Sequence, residues 1–481
     1  MAQANASKKQ IRYAAQTWGF AASVPTGGSA PKLTNYRSTD WTMSAGKTSA
    51  QSDELRADSM PADSTVVGFQ GSAQSNFEFS YNTHNVFFEG VFRNTYTASG
   101  LSTTGTAFST PSGTLQTITV TSSANFVAKQ WCKVTGAANA TNNSTFLINS
   151  IPGGTSIEIV NSAGVTASSQ TATVTASRML RMGSARKMFL LEGEYSDTNA
   201  FQRLESAIAT QINLTLATQQ KITGQVQFLG KQVFAPIPID VQGAGTAGNL
   251  QFTAGPPGTI TGPSNTWTGG STVFAVGDFV KVTGAANAAN NGTFKVSVVT
   301  STVLTVTNTD ASAKTFTAEN SSTALVQKYQ TVGDAIPTAA TTTKIMNAST
   351  NIGFLTEGGV TLGAAVQSFD ITINGNAQPV TQVGSSALAG VTDGTFAVTG
   401  TLTAFYENNT LYSKLLADTE TSFSGRATDA DGNIAILTLP RMKFTQGDPG
   451  GGGQNTLIPL PLQYAALLDA TTNTLVQIDL L

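Results

Sequence analysis

Charge is what this chain has least of. Asp, Glu, Lys and Arg make up 11% of its 481 residues, against roughly 25% in an average soluble domain. The 26 basic and 28 acidic side chains leave a formal net charge of −2. There is no Lys/Arg surplus to grip a phosphate backbone, and little self-repulsion to hold copies apart. A single histidine, His84, excludes His-pair zinc sites within one chain and leaves any nucleophile–histidine pair one base. A single cysteine, Cys132, excludes an intrachain disulfide, so no oxidising compartment is implied. It stands in the alternating stretch Gln-Trp-Cys-Lys-Val and reads as a small buried hydrophobe. No apolar run approaches the ~18 residues of a membrane span. The first ten residues hold two lysines without an apolar stretch behind them, unlike a signal peptide. These absences describe a soluble protein made in a cytoplasm.

What replaces charge is Thr, Ser, Ala, Asn and Gly, the residues of exposed strand faces and tight turns. With 40% hydrophobic residues the chain should fold, since disorder pairs low hydrophobicity with high net charge. Residues 133–146 and 281–294 share twelve of fourteen positions at a spacing of 148. The match extends to Phe126 with Phe274, Trp131 with Phe279, and Ser156–Val160 with Val303–Thr307. Two β-rich modules follow, A at 98–178 and B at 243–328. Their Asn-Asn-Ser and Asn-Asn-Gly tips predict turns at positive φ. Gly/Pro-rich stretches at 255–258 and 261–264 mark the entry to B.

Outside the modules the strands are longer. Phe77, Phe79 and Tyr81 alternate with polar neighbours, as do Phe369, Ile371 and Ile373, and large apolar residues recur at the same spacing of two at Ile434 and Ile436, then at Ile458, Leu460, Leu462 and Tyr464. A weaker duplication shows here. A strand ending at Tyr81 precedes Asn85–Phe92, and one ending at Tyr406 precedes Asn409–Leu416. Each suggests an Asn-capped short helix, with Phe87, Phe88, Val91 and Phe92 or Leu411, Tyr412, Leu415 and Leu416 on its apolar face. Further strands follow each helix. The expected fold is all-β, mainly antiparallel sandwich or barrel units with short helices: residues 1–97 with 179–242 as one such domain and 329–481 as a second.

The search for chemistry leaves no catalytic constellation, and no cofactor or metal is expected. His84 reads as a capping or surface residue. Gly450–Gly453 precedes a strand, so it reads as a flexible loop and not a phosphate cradle. Asp429-Ala-Asp431-Gly432-Asn433 lacks a calcium loop's closing Glu and reads as a type I′ hairpin turn. Asp53, Glu54 and Asp58 surround Arg56 without adjacent aromatics, which favours an exposed ion-pairing loop over a glycosidase acid pair.

The segment Glu54-Leu-Arg-Ala-Asp-Ser-Met-Pro-Ala-Asp63 and the strand to Tyr81 resemble the opening of siphophage tail tube proteins. Gly394–Tyr406, Leu439-Pro-Arg-Met-Lys-Phe444 and Pro461–Asp469 are similar to that family too. The resemblance covers roughly 60% of the chain, outside the two modules. It implies a virion protein that assembles with itself into rings, three chains each if the tube domain is duplicated and six otherwise. Such rings stack into a hollow tail through which DNA passes without specific binding. It implies terminator, tape measure and distal tail proteins as partners, assembly in the bacterial cytoplasm, and modules projecting outward. Asp53, Glu54, Arg56 and Asp58 would contact a neighbouring subunit. Deleting either module should leave assembly intact. The competing readings are a β-repeat adhesin or carbohydrate-binding protein and a capsid decoration protein.

Overall fold

The computed structural model describes residues 5–16, 18, 32–55, 58, 60–198, 200–235, 239–242, 249–263, 266–268, 274–308, 312–328, 337–362, 366–451 and 454–481. It is nearly all β, as the alternation predicts. Outside the modules the elements that matter are β1 (Lys9–Gln16), β2 (Asp40–Gln51), β3 (Ser64–Glu78), α1 (Asn85–Phe92), β4 (Met188–Tyr195), β5 (Ala200–Ala217) and β6 (Thr223–Gly230). After module B come β7 (Ile352–Glu357), β8 (Val366–Asn374), β9 (Ala397–Phe405), α2 (Thr410–Leu416), β10 (Thr421–Thr428), β11 (Ile434–Gln446), β12 (Pro459–Ala466) and β13 (Gln477–Leu480).

These two series pair in the same pattern. In the first, β2 pairs with β3, β3 with β6 and β6 with the C-terminal half of β5. The N-terminal half of β5 pairs with β4, and β4 with β1. In the second, β8 pairs with β9, β9 with β12 and β12 with the C-terminal end of β11. The N-terminal part of β11 pairs with β10, and β10 with β7. The series meet at an antiparallel seam between β5 and β8, from Gln211 opposite Asn374 to Ala217 opposite Ser368. One sheet therefore runs β2-β3-β6-β5-β8-β9-β12-β11.

Alternation gives this sheet one apolar face, and that face carries the main core. The core crosses the seam without a break: Phe77, Phe87, Phe189 and Phe228 on one side join Phe369, Phe423, Phe444 and Tyr464 on the other. Phe369 and Phe423 stack at 4.4 Å, and Phe87 meets Phe228 edge-on at 5.1 Å. The helices differ in depth. All four apolar residues of α1 are buried, but of the α2 set only Leu411 is, and Leu416 is exposed. Asn85 does not cap α1. The N-cap residue is His84, and Asn85 lies inside the helix with its side chain on Asn82. Asn409 is at the N-cap of α2, but its side chain makes no capping bond there and accepts instead from the Tyr406 hydroxyl.

Module A is a closed barrel whose strands run, in order around the barrel, 172–176, 102–108, 115–120, 156–160, 145–153 and 131–135. Cys132 lies in its core, with burial pushing the thiol up to about 12. Module B repeats the order 258–261, 303–307, 292–299, 279–283 and 325–328. The first strand of A serves both its neighbours. In B that role is divided between 239–242, on 325–328, and 250–253, on 258–261.

The repeated Asn-Asn stretches form short 3-10 turns, with Asn143 and Asn291 at negative φ. Of the expected positive-φ tips only Gly292 in module B, at φ 146, shows one; the asparagine side chains do the work of closing the loop. Asn142 is fully buried and bonds both the N–H (3.0 Å) and C=O (2.8 Å) of Val165. Asn290 does the same to Thr317, at 2.9 Å each. Asn143 and Asn291 clamp Ala137 and Ala285 in the same way. An amide that offers a donor and an acceptor imitates a strand partner for a loop that lacks one.

Candidate functional site: an assembly surface

The second face of the long sheet is built of amides and hydroxyls. The pairing brings Gln74 on β3, Gln227 on β6 and Gln211 on β5 into one row, with Asn76, Gln225 and Asn213 in the next. Across the seam these rows continue to Asn374 and Thr372 on β8, and from Thr372 to Thr399 on β9, while the next row holds Thr215, Asp370, Thr401 on β9 and Gln463 on β12. The amides bond one another: Gln225 donates to Asn76 at 3.0 Å, Gln227 to Gln225 at 2.9 Å, and Gln211 to Asn213 at 2.9 Å. Charged residues at these positions are few. Asp40, Glu78 and Lys443 are each ion-paired within the chain, to Lys9, Lys221 and Asp418. Asp370 is the fourth.

This sheet is open at both ends. Among the described residues β2 pairs only with β3, and the C-terminal end of β11 has a strand partner only in β12. Unpaired edge groups are a template for a further strand unless blunted. β2 and β3 also run outward as an arm. Beyond Ala45 both strands are largely exposed, and the tip between them carries Leu55 at 100% and Met60 at 66% exposure. Asp53, Glu54 and Asp58 lie on that tip and are exposed. Arg56 lies outside the described residues.

Residues 253–466 match the family described as phage tail tube protein. Over that segment, a little under half of its length, the chain is similar to the phage tail tube family. No curated protein matches it. The matched segment runs from module B through the second series and ends on the last residue of β12. A tail tube protein is a structural component of the virion tail. The first series, outside the match, reaches the same strand order by its pairing alone.

Of the residues weighed for chemistry, His84 and Asp429 take part in packing and loop closure. His84 is not on the surface. It is 1% exposed, stacks on Phe77 at 4.1 Å, bonds the Tyr36 hydroxyl through Nδ1 (2.8 Å), and donates from Nε2 to the Glu78 carbonyl (3.1 Å). Burial depresses its pKa to about 3, so the ring is neutral. Its carbonyl accepts from Phe87 and Phe88, which starts α1. The turn after β10 is not a two-residue type I′ turn. Residues 429–433 form a longer loop with Gly432 at φ 84, closed by Asp429, whose Oδ1 accepts from the Asp431 and Asn433 amides at 2.9 Å each. Among the described residues no cluster of His, Cys, Asp and Glu suits a metal ion. Gly450 and Gly451 follow β11, with the Gly450 amide bonding Pro459 at 2.8 Å. Residues 452–453 lie outside the described residues.

Sequence reasoning misses the dock of module A. Trp131 carries it. It packs on Ile434 and Ile436 of β11, lies 5.4 Å from the Phe354 ring, and donates its indole N–H to Thr438 at 3.1 Å. Beneath it is Asp479 on β13, fully buried, which accepts from Ser177 (2.5 Å) and Gln477 (2.6 Å), with the Trp131 amide at 3.4 Å. Desolvation raises that carboxyl to about 6 against the lowering effect of its donors. The available signal is Ile434-Ala-Ile436, whose two faces are both apolar although an outer strand should alternate.

Proposed function

We propose that copies of this chain close into rings that stack as the hollow tail tube conducting phage DNA. The observation that carries this reading is the β5–β8 seam. Two series of like topology already form one sheet, with an apolar face on the core, an uncharged polar face and an open edge at each end. Rings closed edge to edge leave no unpaired strand, and stacking them head to tail gives an open filament. The amide and hydroxyl face becomes the bore, hydrogen-bonding water while offering few cations to trap phosphate.

The two series act as two tube domains, so three chains make a ring of six quasi-equivalent units. The β2–β3 arm, with Asp53, Glu54, Arg56 and Asp58 at its tip, reaches a neighbouring subunit. Module A sits on the N-terminal half of β11, away from the polar face, so it decorates the outside. Terminator, tape measure and distal tail proteins meet the tube's ends, and assembly takes place in the host bacterial cytoplasm. Electron microscopy of the purified protein, with native mass spectrometry of its smallest ring, tests this. Long hollow tubes and a three-chain mass are expected; monomers or closed shells overturn it.

A further inference from the structure

The glycine-rich segment after β11 is unexplained so far, and the internal likeness of the two series assigns it a partner. The series can be aligned through their pairing alone. β6 and β12 are both eight residues long. Against β6, β5 slips by one residue between Ala209 and Gln211; against β12, β11 slips by one between Phe444 and Gln446. Gln211 opposite Gln227 thus corresponds to Gln446 opposite Gln463. The alignment holds past the end of β11, because Gly450 bonds Pro459 where Thr215 faces Thr223. Following the rows outward, Phe228 leads through Ala73 to Met43, and Tyr464 leads through Gly400 to Ile371. Met43 on β2 therefore corresponds to Ile371 on β8.

We infer that residues 445–451 of one chain pair antiparallel with residues 41–47 of a second copy, in the register of the β5–β8 seam. Asn213 faces Thr372 within the chain; Asp448 accordingly faces Ser44 of the neighbour, and Gln446 faces Gly46. This rests on the ring reading and names its contact. Both edges have room, since Ser44, Thr445, Gln446 and Asp448 are exposed, and both keep their apolar residues on the core side, Trp41 and Met43 on β2 and Phe444 on β11. The new seam is not a copy of the old one. Where Ile212, Leu214 and Leu216 meet Ile373, Ile371 and Phe369 within the chain, the neighbour's edge meets Gly447, Pro449 and Gly451. Proline has no N–H to give a ladder, and three apolar pairs are lost. The intrachain seam is thus built for permanence, and the interchain seam for closing only when rings form.

The test uses the full chain with Ser44→Cys and Asp448→Cys, oxidised after assembly; Cys132 stays silent in its barrel. Directly facing residues have Cβ atoms about 4.5–5.5 Å apart and diagonal ones about 7–8 Å, so a disulfide is selective for register. Covalent multimers up to ring size are expected, at least about tenfold more than from Ser44→Cys with Gln446→Cys, by the same spacing. Equal crosslinking from both pairs overturns the register. Tubes in micrographs without crosslinks from Ser44/Asp448 overturn the seam and spare the tube reading; no rings at all overturns both. Hydrogen exchange on the unsubstituted protein gives a second readout. The alternate amides of 42–47 that point away from β3 should be protected in tubes but not in free chains, while 211–217 are protected in both. Fast exchange of 42–47 within tubes rejects the seam.

Discussion

Modules A and B share a loop almost residue for residue, yet they hold different relations to the rest of the chain. The buried asparagines 142 and 290 close the same loop by the same pair of bonds. The face around Trp131 has diverged. Leu147 in A corresponds to Lys295 in B, Gln130 to Asp278, and Trp131 to Phe279. In A, Trp131 and Leu147 pack with Ile434 and Ile436 of β11 and Trp131 reaches Asp479 on β13, while Gln130 donates to the Ser177 carbonyl at 2.8 Å. In B the Lys295 ammonium lies 5.7 Å over the Phe279 ring and Asp278 pairs with Lys328 at 2.6 Å. The core cluster of B contains no residue from outside the module. Loop closure is an internal requirement, so both copies keep it. A face is set by what covers it, and among the described residues the long sheet covers the Trp131 face of A, while the core cluster of B stays within B.

Deletion probes this difference most strongly. The ends of module A meet, since the Thr97 amide bonds Met179 at 3.0 Å, so 98–178 can be excised with little strain at the join. What remains exposes Ile434, Ile436 and Phe354 and takes Ser177 and Trp131 from Asp479. Removing A should lower the melting temperature of the remainder by about 10 °C, the scale of a 3–5 kcal/mol loss in a domain of this size. Removing 243–328 should move it by no more than about 2–3 °C. The expectation that either deletion leaves assembly intact is joined by a second: in stability the two deletions are unequal. Calorimetry showing equal shifts would dissolve the distinction.

A smaller version of the contrast uses single residues. Trp131→Ala empties the dock and should cost about 3–5 kcal/mol, seen as a lower urea midpoint of the transition that includes β11. Phe279→Ala, at the matching position, should cost about 1–3 kcal/mol and shift only module B. If Phe279→Ala moves the sheet's transition as well, B is docked after all.

Much of this fold is legible in the amino-acid sequence. Period-two alternation locates β3, β8 and β12, and the internal repeat locates both modules, because each signal is local. The relation between the two series shows only faintly there, through a strand-then-helix order. Its proof lies in pairings between residues as distant as Leu214 and Ile371, which no local pattern encodes. Of the two readings of His84, it does stand at the N-cap of α1, but the surface reading fails for a similar reason. Its neighbours Asn82, Thr83 and Asn85 are polar, but Tyr36 and Phe77 arrive from other strands to bury it. Of the assembly surface, the lack of charge is plain from composition. Which Gln, Asn and Thr share one face depends on the register.

The smallest expected effect follows from the dock's buried carboxyl. Asp479 has a folded pKa of about 6 against an ordinary 3.8, so the folded state holds a proton that the unfolded state gives up. Its stabilising effect is full below about 3.8 and is lost as pH rises through about 6. His84 acts in the other direction. With a folded pKa of about 3 against 6.5, it contributes stability above about 6.5 that is lost as pH falls toward 3. The two slopes oppose one another between pH 4 and 6, so the intact protein should show a shallow profile there. Asp479→Asn removes one slope and leaves the other: stability of the variant, measured by urea unfolding, should fall relative to the unsubstituted chain as pH drops from 7 to 5. Module B places no such carboxyl beneath Phe279, so a module B substitution such as Phe279→Ala should leave the pH profile parallel to the original. A difference between Asp479→Asn and the unsubstituted chain that stays constant across this range would mean the carboxyl keeps its charge in the dock, with Arg181 and the three donors outweighing burial.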